Sequence, residues 1–108
     1  MASSKEFADF VLDQLTELGV MRVKKMFGEY GVYYGEKIVG LICDDQLFIK
    51  PTESGRVYLK DPEMGEPYPG AKPYFLITAD LLEDREWACE MIRVTEKELL
   101  VSPKKKKN

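Results

Sequence analysis

The chain contains no histidine, so the commonest general base and metal ligand among the side chains is missing. Few residues remain for chemistry. Asp44 and Asp45 are adjacent carboxylates, but side chains on a two-residue hairpin turn point apart, and a turn explains the pair better than acid/base catalysis. Cys43 and Cys89 stand far apart in no CxxC arrangement, and two cysteines without histidine fall short of a zinc ligand set. Free thiols in a reducing compartment are the expected state. Cys43 ends an apolar run and precedes Asp44; burial and a neighbouring carboxylate both raise a thiol pKa, so a reactive thiolate is not expected there. Cys89, near Trp87, reads as a packing residue.

Gly28-Glu29-Tyr30-Gly31 invites comparison with two glycine motifs and fits neither. A dinucleotide loop needs GxGxxG opening a helix, and a strand-like run follows here. The GxxG loop of a KH domain lies against nucleic-acid backbone, where Glu29 would repel phosphate. A structural bend bracketed by Gly28 and Gly31 is the reading adopted. Arg22, Lys24 and Lys25 beside Phe27, Tyr30, Tyr33 and Tyr34 are a basic and aromatic combination of the kind that stacks single-stranded bases. The rival reading is a strand with a charged outer face whose aromatics pack inward. A third arrangement would gather Tyr33, Tyr34, Tyr58 and Tyr74 around a small-ligand pocket.

Charge favours the plainer reading of the basic strand. The net charge is −3, with 16 basic and 19 acidic residues, but four of the lysines form the run Lys104–Lys107. Without them 12 basic residues face 19 acidic ones, so the body carries −7. An acidic body argues against broad phosphate-backbone binding. At 108 residues and 44% hydrophobic content the chain is sized for a single core. No run approaches the ~20 apolar residues of a membrane span, and the N-terminus lacks a signal-peptide pattern, which points to the cytoplasm.

The elements follow from periodicity. Ser3 or Ser4 caps a helix over about 4–18, with Phe7, Phe10, Val11, Leu15 and Leu18 as its apolar stripe and Gly19 as its stop. Met21, Val23 and Met26 alternate as a first strand, and Val32–Tyr34 continue as a second. Gly35 turns the chain into the almost wholly apolar strand Ile38–Cys43, which is expected to be covered on at least one face. Asp44-Asp45 turns it again into Leu47–Lys50, which Pro51 ends. Thr52 or Ser54 opens a short helix through Leu59. Asp61–Lys72, with three prolines and two glycines, reads as a loop long enough to suggest a binding role. Pro73–Ala79 is the fifth strand, and Asp80 or Asp84 caps a final helix carrying Leu81, Leu82, Trp87, Met91 and Ile92. Thr95-Glu96-Lys97-Glu98 fits a capping box at which that helix would restart. The prediction is a single α+β two-layer domain over 1–102, with a five-stranded, mainly antiparallel sheet, N- and C-terminal helices packed on one face, and a disordered lysine-rich tail over 103–108. The other face of the sheet would be exposed or would meet a second subunit.

Lys25-Met26-Phe27-Gly28, then Tyr30-Gly31-Val32-Tyr33, Gly40-Leu41-Ile42, Asp44-Asp45 and Leu47-Phe48-Ile49-Lys50 resemble the N-terminal domain of the TfoX (Sxy) competence regulators. Pro73-Tyr74-Phe75 and the segment from Leu81-Leu82-Glu83-Asp84 to Trp87 are similar to the family's last strand and helix. The resemblance implies a small α+β domain without enzymatic activity or cofactor, in proteins that regulate natural transformation together with a cyclic-AMP receptor type activator. It also implies a helical C-terminal domain, for which this chain has no room. Glu29 stands where the family commonly has glycine. The expected function is therefore that of a non-enzymatic cytoplasmic domain acting through protein contacts, including a homodimer through a free edge or face of the sheet. A nucleic-acid binder using Arg22, Lys24, Lys25 and the lysine tail, and a small-ligand module, are the alternatives.

Overall fold

A computed structural model describes residues 3–99. The lysine run and the predicted disordered tail lie outside the described residues, as does the end of the predicted 1–102 domain. The order is α1 (Lys5–Gln14), a 3₁₀ turn (Thr16–Leu18), β1 (Met21–Met26), β2 (Glu29–Tyr34), β3 (Lys37–Cys43), β4 (Gln46–Ile49), α2 (Glu53–Leu59), β5 (Met64–Gly65), β6 (Tyr74–Ile77), α3 (Ala79–Leu82) and α4 (Arg85–Leu99). All neighbouring strands pair antiparallel, in the spatial order β1-β2-β3-β4-β6-β5. The α+β prediction holds; the sheet has six strands rather than five, because Met64–Gly65 inside the expected 61–72 loop pairs with Phe75 and Tyr74.

Local chemistry sets the boundaries. The Ser4 hydroxyl accepts from the Phe7 amide and starts α1. Gly19 stops the 3₁₀ turn at φ 81°. The α-helical part is shorter than the apolar stripe suggested, since it tightens into 3₁₀ geometry after Gln14. Thr52 caps α2 through the Gly55 amide at 2.9 Å, and Asp84 caps α4 through the Trp87 amide at 3.1 Å. Helix α4 does not break at the expected capping box. Thr95 is fully buried and its hydroxyl donates to the Met91 carbonyl, so its oxygen is engaged within the helix rather than capping a new one.

The strands meander through two-residue turns. Phe27 and Gly28 turn β1 into β2 with φ 51° and 82°, and Asp44 and Asp45 turn β3 into β4 with φ 54° and 57°. Positive φ at both central positions is the type I′ pattern, whose twist suits a hairpin. Aspartate tolerates it; phenylalanine does so at a cost of about 1 kcal/mol. Gly31 does not bracket this bend: it lies within β2, paired with Lys24 and Leu41. Between Val32 and Tyr33 the β2–β3 register slips, leaving Val39 as an extra residue in a bulge.

Register assigns the two faces, because directly paired residues share a side of the sheet. Val23, Val32, Ile49 and Phe75 form one row, and Tyr30, Ile42, Leu47 and Ile77 the next. Val39 joins them through the bulge. This face meets Val11 of α1 and Leu15 just after it, Leu82 of α3, and Ala88, Met91 and Ile92 of α4 in one buried core. Each fully buried large aliphatic or aromatic side chain there contributes roughly 1.5–3 kcal/mol.

Candidate functional site

Among the described residues, the opposite face carries no helix. Its rows are Lys24, Gly31, Leu41, Phe48 and Leu76 across the middle, Arg22, Tyr33 and Ile38 toward one end, and Met26, Glu29, Cys43 and Gln46 toward the other. The apolar run of β3 supplies both faces, Ile42 inward and Leu41 outward. A groove of about 990 Å³ runs over this surface, with Met26, Ile38, Leu41 and Phe48 among the residues lining it. The segment Glu66–Pro69 and Tyr74 close it along the β5–β6 side.

Two glycines shape its floor. A side chain at Gly31 would come within 2.7 Å of Met26 Sδ, so the methionine folds across the bare backbone. A side chain at Gly65 would come within 3.0 Å of the Phe48 ring, so β5 lies directly on that ring and buries it. The rim is aromatic and accessible. Tyr68 is 57% exposed, and Phe27, at the hairpin tip, is 99% exposed.

Charge is unevenly spread along the groove. Arg22 and Lys50 lie on or beside the half toward Ile38, Lys24 in the middle row, and Glu29 and Asp44 at the Met26 end; Glu66 stands on the side wall near Tyr74. Arg22 packs over the Tyr33 ring at 5.4 Å and donates to the Gly35 carbonyl at 3.0 and 3.2 Å. Burial pushes the Cys43 thiol up, with Glu29 and Asp44 adding to the effect. Burial likewise raises the Tyr74 phenol. Both groups are held in their neutral forms at neutral pH, and among the described residues no cluster of carboxylate and thiol groups has metal-binding geometry.

The residues singled out in the sequence separate into distinct roles. Met26 and Phe27 line the groove, Lys50 flanks it, and Gly31 forms its floor. Gly28, Asp44 and Asp45 are turn residues. Gly40 lets β3 approach β4, since a side chain there would strike the Phe48 carbonyl and Ile49. Tyr30 pairs on the core face. Alternation places Arg22 and Lys24 on the groove face and Lys25 on the other, with all three exposed, so the basic cluster is divided between two surfaces. Of the four tyrosines proposed for a pocket, only Tyr74 lines the groove. Tyr34 and Tyr58 pack against the core on the helix side, where the Tyr58 hydroxyl donates to the Trp87 carbonyl at 3.0 Å, and Tyr33 lies under Arg22. Leu41, Phe48, Pro67 and Tyr68 were not named as site residues; the signals for them were the successive apolar positions of β3, for Leu41, and the 61–72 loop long enough to suggest a binding role, for Pro67 and Tyr68.

Residues 13–99 match the family described as the TfoX N-terminal domain. The chain is also similar to a Spirochaeta aurantia protein named "uncharacterized 12.7 kDa protein in trpE 5′ region". The two are 43% identical over 95 residues, covering 88% of this chain and 82% of that protein.

Proposed function

This chain belongs to the TfoX N-terminal domain family, and from that premise we propose that it is a non-enzymatic cytoplasmic domain that acts in regulation by binding another protein chain through the open face of its sheet. The observation that carries this reading is the groove itself. A helix-free sheet face presents Met26, Ile38, Leu41 and Tyr74 in one continuous apolar surface, with Tyr68 and Phe27 exposed on its rim. Contiguous apolar surface of this kind marks contact sites, and aromatic residues are enriched among the anchors of protein interfaces. On the same surface burial keeps Cys43 as the neutral thiol.

The test is differential capture from the cells that make the protein. The immobilised wild-type domain and the Leu41→Glu and Tyr68→Ser variants are compared, with thermal unfolding used to show that each variant is folded. Retention of a protein by the wild type and its loss with both variants is the expected result. The same retained set on all three would overturn the reading.

A further inference from the structure

We propose that the occupant of the groove is a second copy of this chain, packed open face to open face about a two-fold axis that runs across the strands, with each Phe27 seated at the Ile38 end of the other's groove. The inference deepens the protein-contact reading and rests on it. Three features converge.

The first is Phe27. It is 99% exposed in a left-handed conformation at φ 51°, and it receives no cover from its own chain. A glycine would occupy that turn position without strain, and an exposed aromatic there gains nothing within one copy. It projects at one end of the groove whose other end is formed by Ile38, Tyr74 and the Glu66–Pro69 wall.

The second is that projection and hollow belong to the same surface. A two-fold interface uses one patch twice, so the patch must contain both the group that inserts and the place that receives it. Phe27 and the Ile38 end of the groove meet that requirement.

The third is the order of charges. Glu29 and Asp44 lie at the Phe27 end, and Arg22 and Lys50 lie toward the Ile38 end, with Lys24 in the middle row between them. A two-fold axis across the strands reverses strand direction between copies, which sets the acidic end of each against the basic end of the other. An axis along the strands would oppose like charges. Glu66 on the β5–β6 wall and the exposed Glu36 in the β2–β3 turn also lie toward that end, so the complementarity rests on Glu29 set against Arg22 and Asp44 set against Lys50. Arg22, already lying on Tyr33, is placed to meet the face of the incoming Phe27 ring as well.

The experiment is sedimentation velocity on the full chain across a concentration series, for the wild type and for Phe27→Gly. Glycine suits the turn, so this variant keeps or gains thermal stability at low concentration and removes only the inserted ring. Expected are a wild-type dimer weakened by raised salt and a dissociation constant at least about tenfold higher for Phe27→Gly. As a positional check, p-benzoylphenylalanine at position 27 should cross-link between copies to residues 33–38 of the second. A wild type that stays monomeric to about 100 μM, an unchanged constant in Phe27→Gly, or cross-links elsewhere would overturn the proposal. If the dimer is absent while Leu41→Glu still abolishes capture of a different protein, the open-face reading stands and only the identity of its occupant falls.

Discussion

The Glu29 carboxylate receives the Ser3 backbone amide at 2.8 Å, joining two residues 26 positions apart in sequence. Its second oxygen receives the Asp44 amide at 3.2 Å. The Asp45 amide in turn donates to the Ser3 hydroxyl at 2.9 Å, and the Asp45 carboxylate accepts from the Ser4 amide at 2.7 Å. One side chain thus ties the approach to α1 to the β3–β4 turn. Glu29 begins a strand with ordinary backbone geometry, and positive φ falls on Phe27 and Gly28 before it. The carboxylate therefore adds a clamp and strains nothing.

Removing that clamp has a local cost. Glu29→Ala should lower stability by about 1–3 kcal/mol, because the partly buried Ser3 amide and the exposed Asp44 amide lose a charged acceptor. Urea unfolding measures the loss. Amide exchange should accelerate at Ser3 and Asp44 more than in α4; uniform acceleration would show that the clamp has no local role.

Gly40 and Gly31 should respond differently to alanine. At Gly40 the new methyl meets backbone, the Phe48 carbonyl, which cannot move without breaking the β3–β4 ladder. At Gly31 it meets the Met26 thioether, which can swing away. Gly40→Ala should cost about 1–3 kcal/mol and Gly31→Ala clearly less, as read from paired denaturation midpoints. Equal costs would contradict the close approach at Gly40.

The Glu98 carboxylate accepts the Ser54 and Glu53 amides at 2.9 and 3.0 Å, capping α2 from the end of α4. These bonds hold its pKa below the ordinary 4.5. A depressed folded-state pKa stabilises fully above the ordinary value and ceases to do so as pH falls through the folded one. Glu98→Gln should therefore lower the thermal midpoint by a constant amount above about pH 6, and the gap to wild type should close as pH drops below 4.5. A gap that persists in acid would remove the carboxylate's charge from the explanation.

Both thiols should be slow nucleophiles at neutral pH. Burial raises each above the ordinary 9.0, and Cys43 has carboxylates beside it. Peptide mapping after timed iodoacetamide treatment should show both alkylated at least about tenfold more slowly than free cysteine at pH 7.5, with the rate at Cys43 still rising above pH 9. Rapid alkylation of Cys43 at neutral pH would restore it as a chemical site in the groove.

Features fixed by adjacent residues were legible in the sequence. Ser4 as a cap, Gly19 as a stop and Asp44-Asp45 as a turn each depend on chemistry within a few positions. Gly31 was misread as a bend glycine because its role depends on Met26 lying across the hairpin, a relation set by register. The groove was legible only in outline, through the almost wholly apolar run Ile38–Cys43. Its composition depends on the bulge at Val39, which resets which β3 residues face outward, and on a two-residue strand too short to show a period. Thr95 carried a capping-box spacing, but burial gave its hydroxyl a partner inside the helix. Tyr34 and Tyr58 looked like pocket residues because aromatic content says nothing of which side of a sheet it will occupy.

The sheet order also sets the sequence of events in folding. Strands β1 to β4 pair with immediate neighbours through two-residue turns, so each hairpin closes a short loop at small entropic cost. The pairing of β4 with β6 must instead wait for the excursion from Lys50 to Pro73 to return. We predict a transition state structured in the β1–β4 meander, with β6 and α4 docking afterwards. The groove's floor would then form early, and its wall, carried on the late-returning segment, would close over it last.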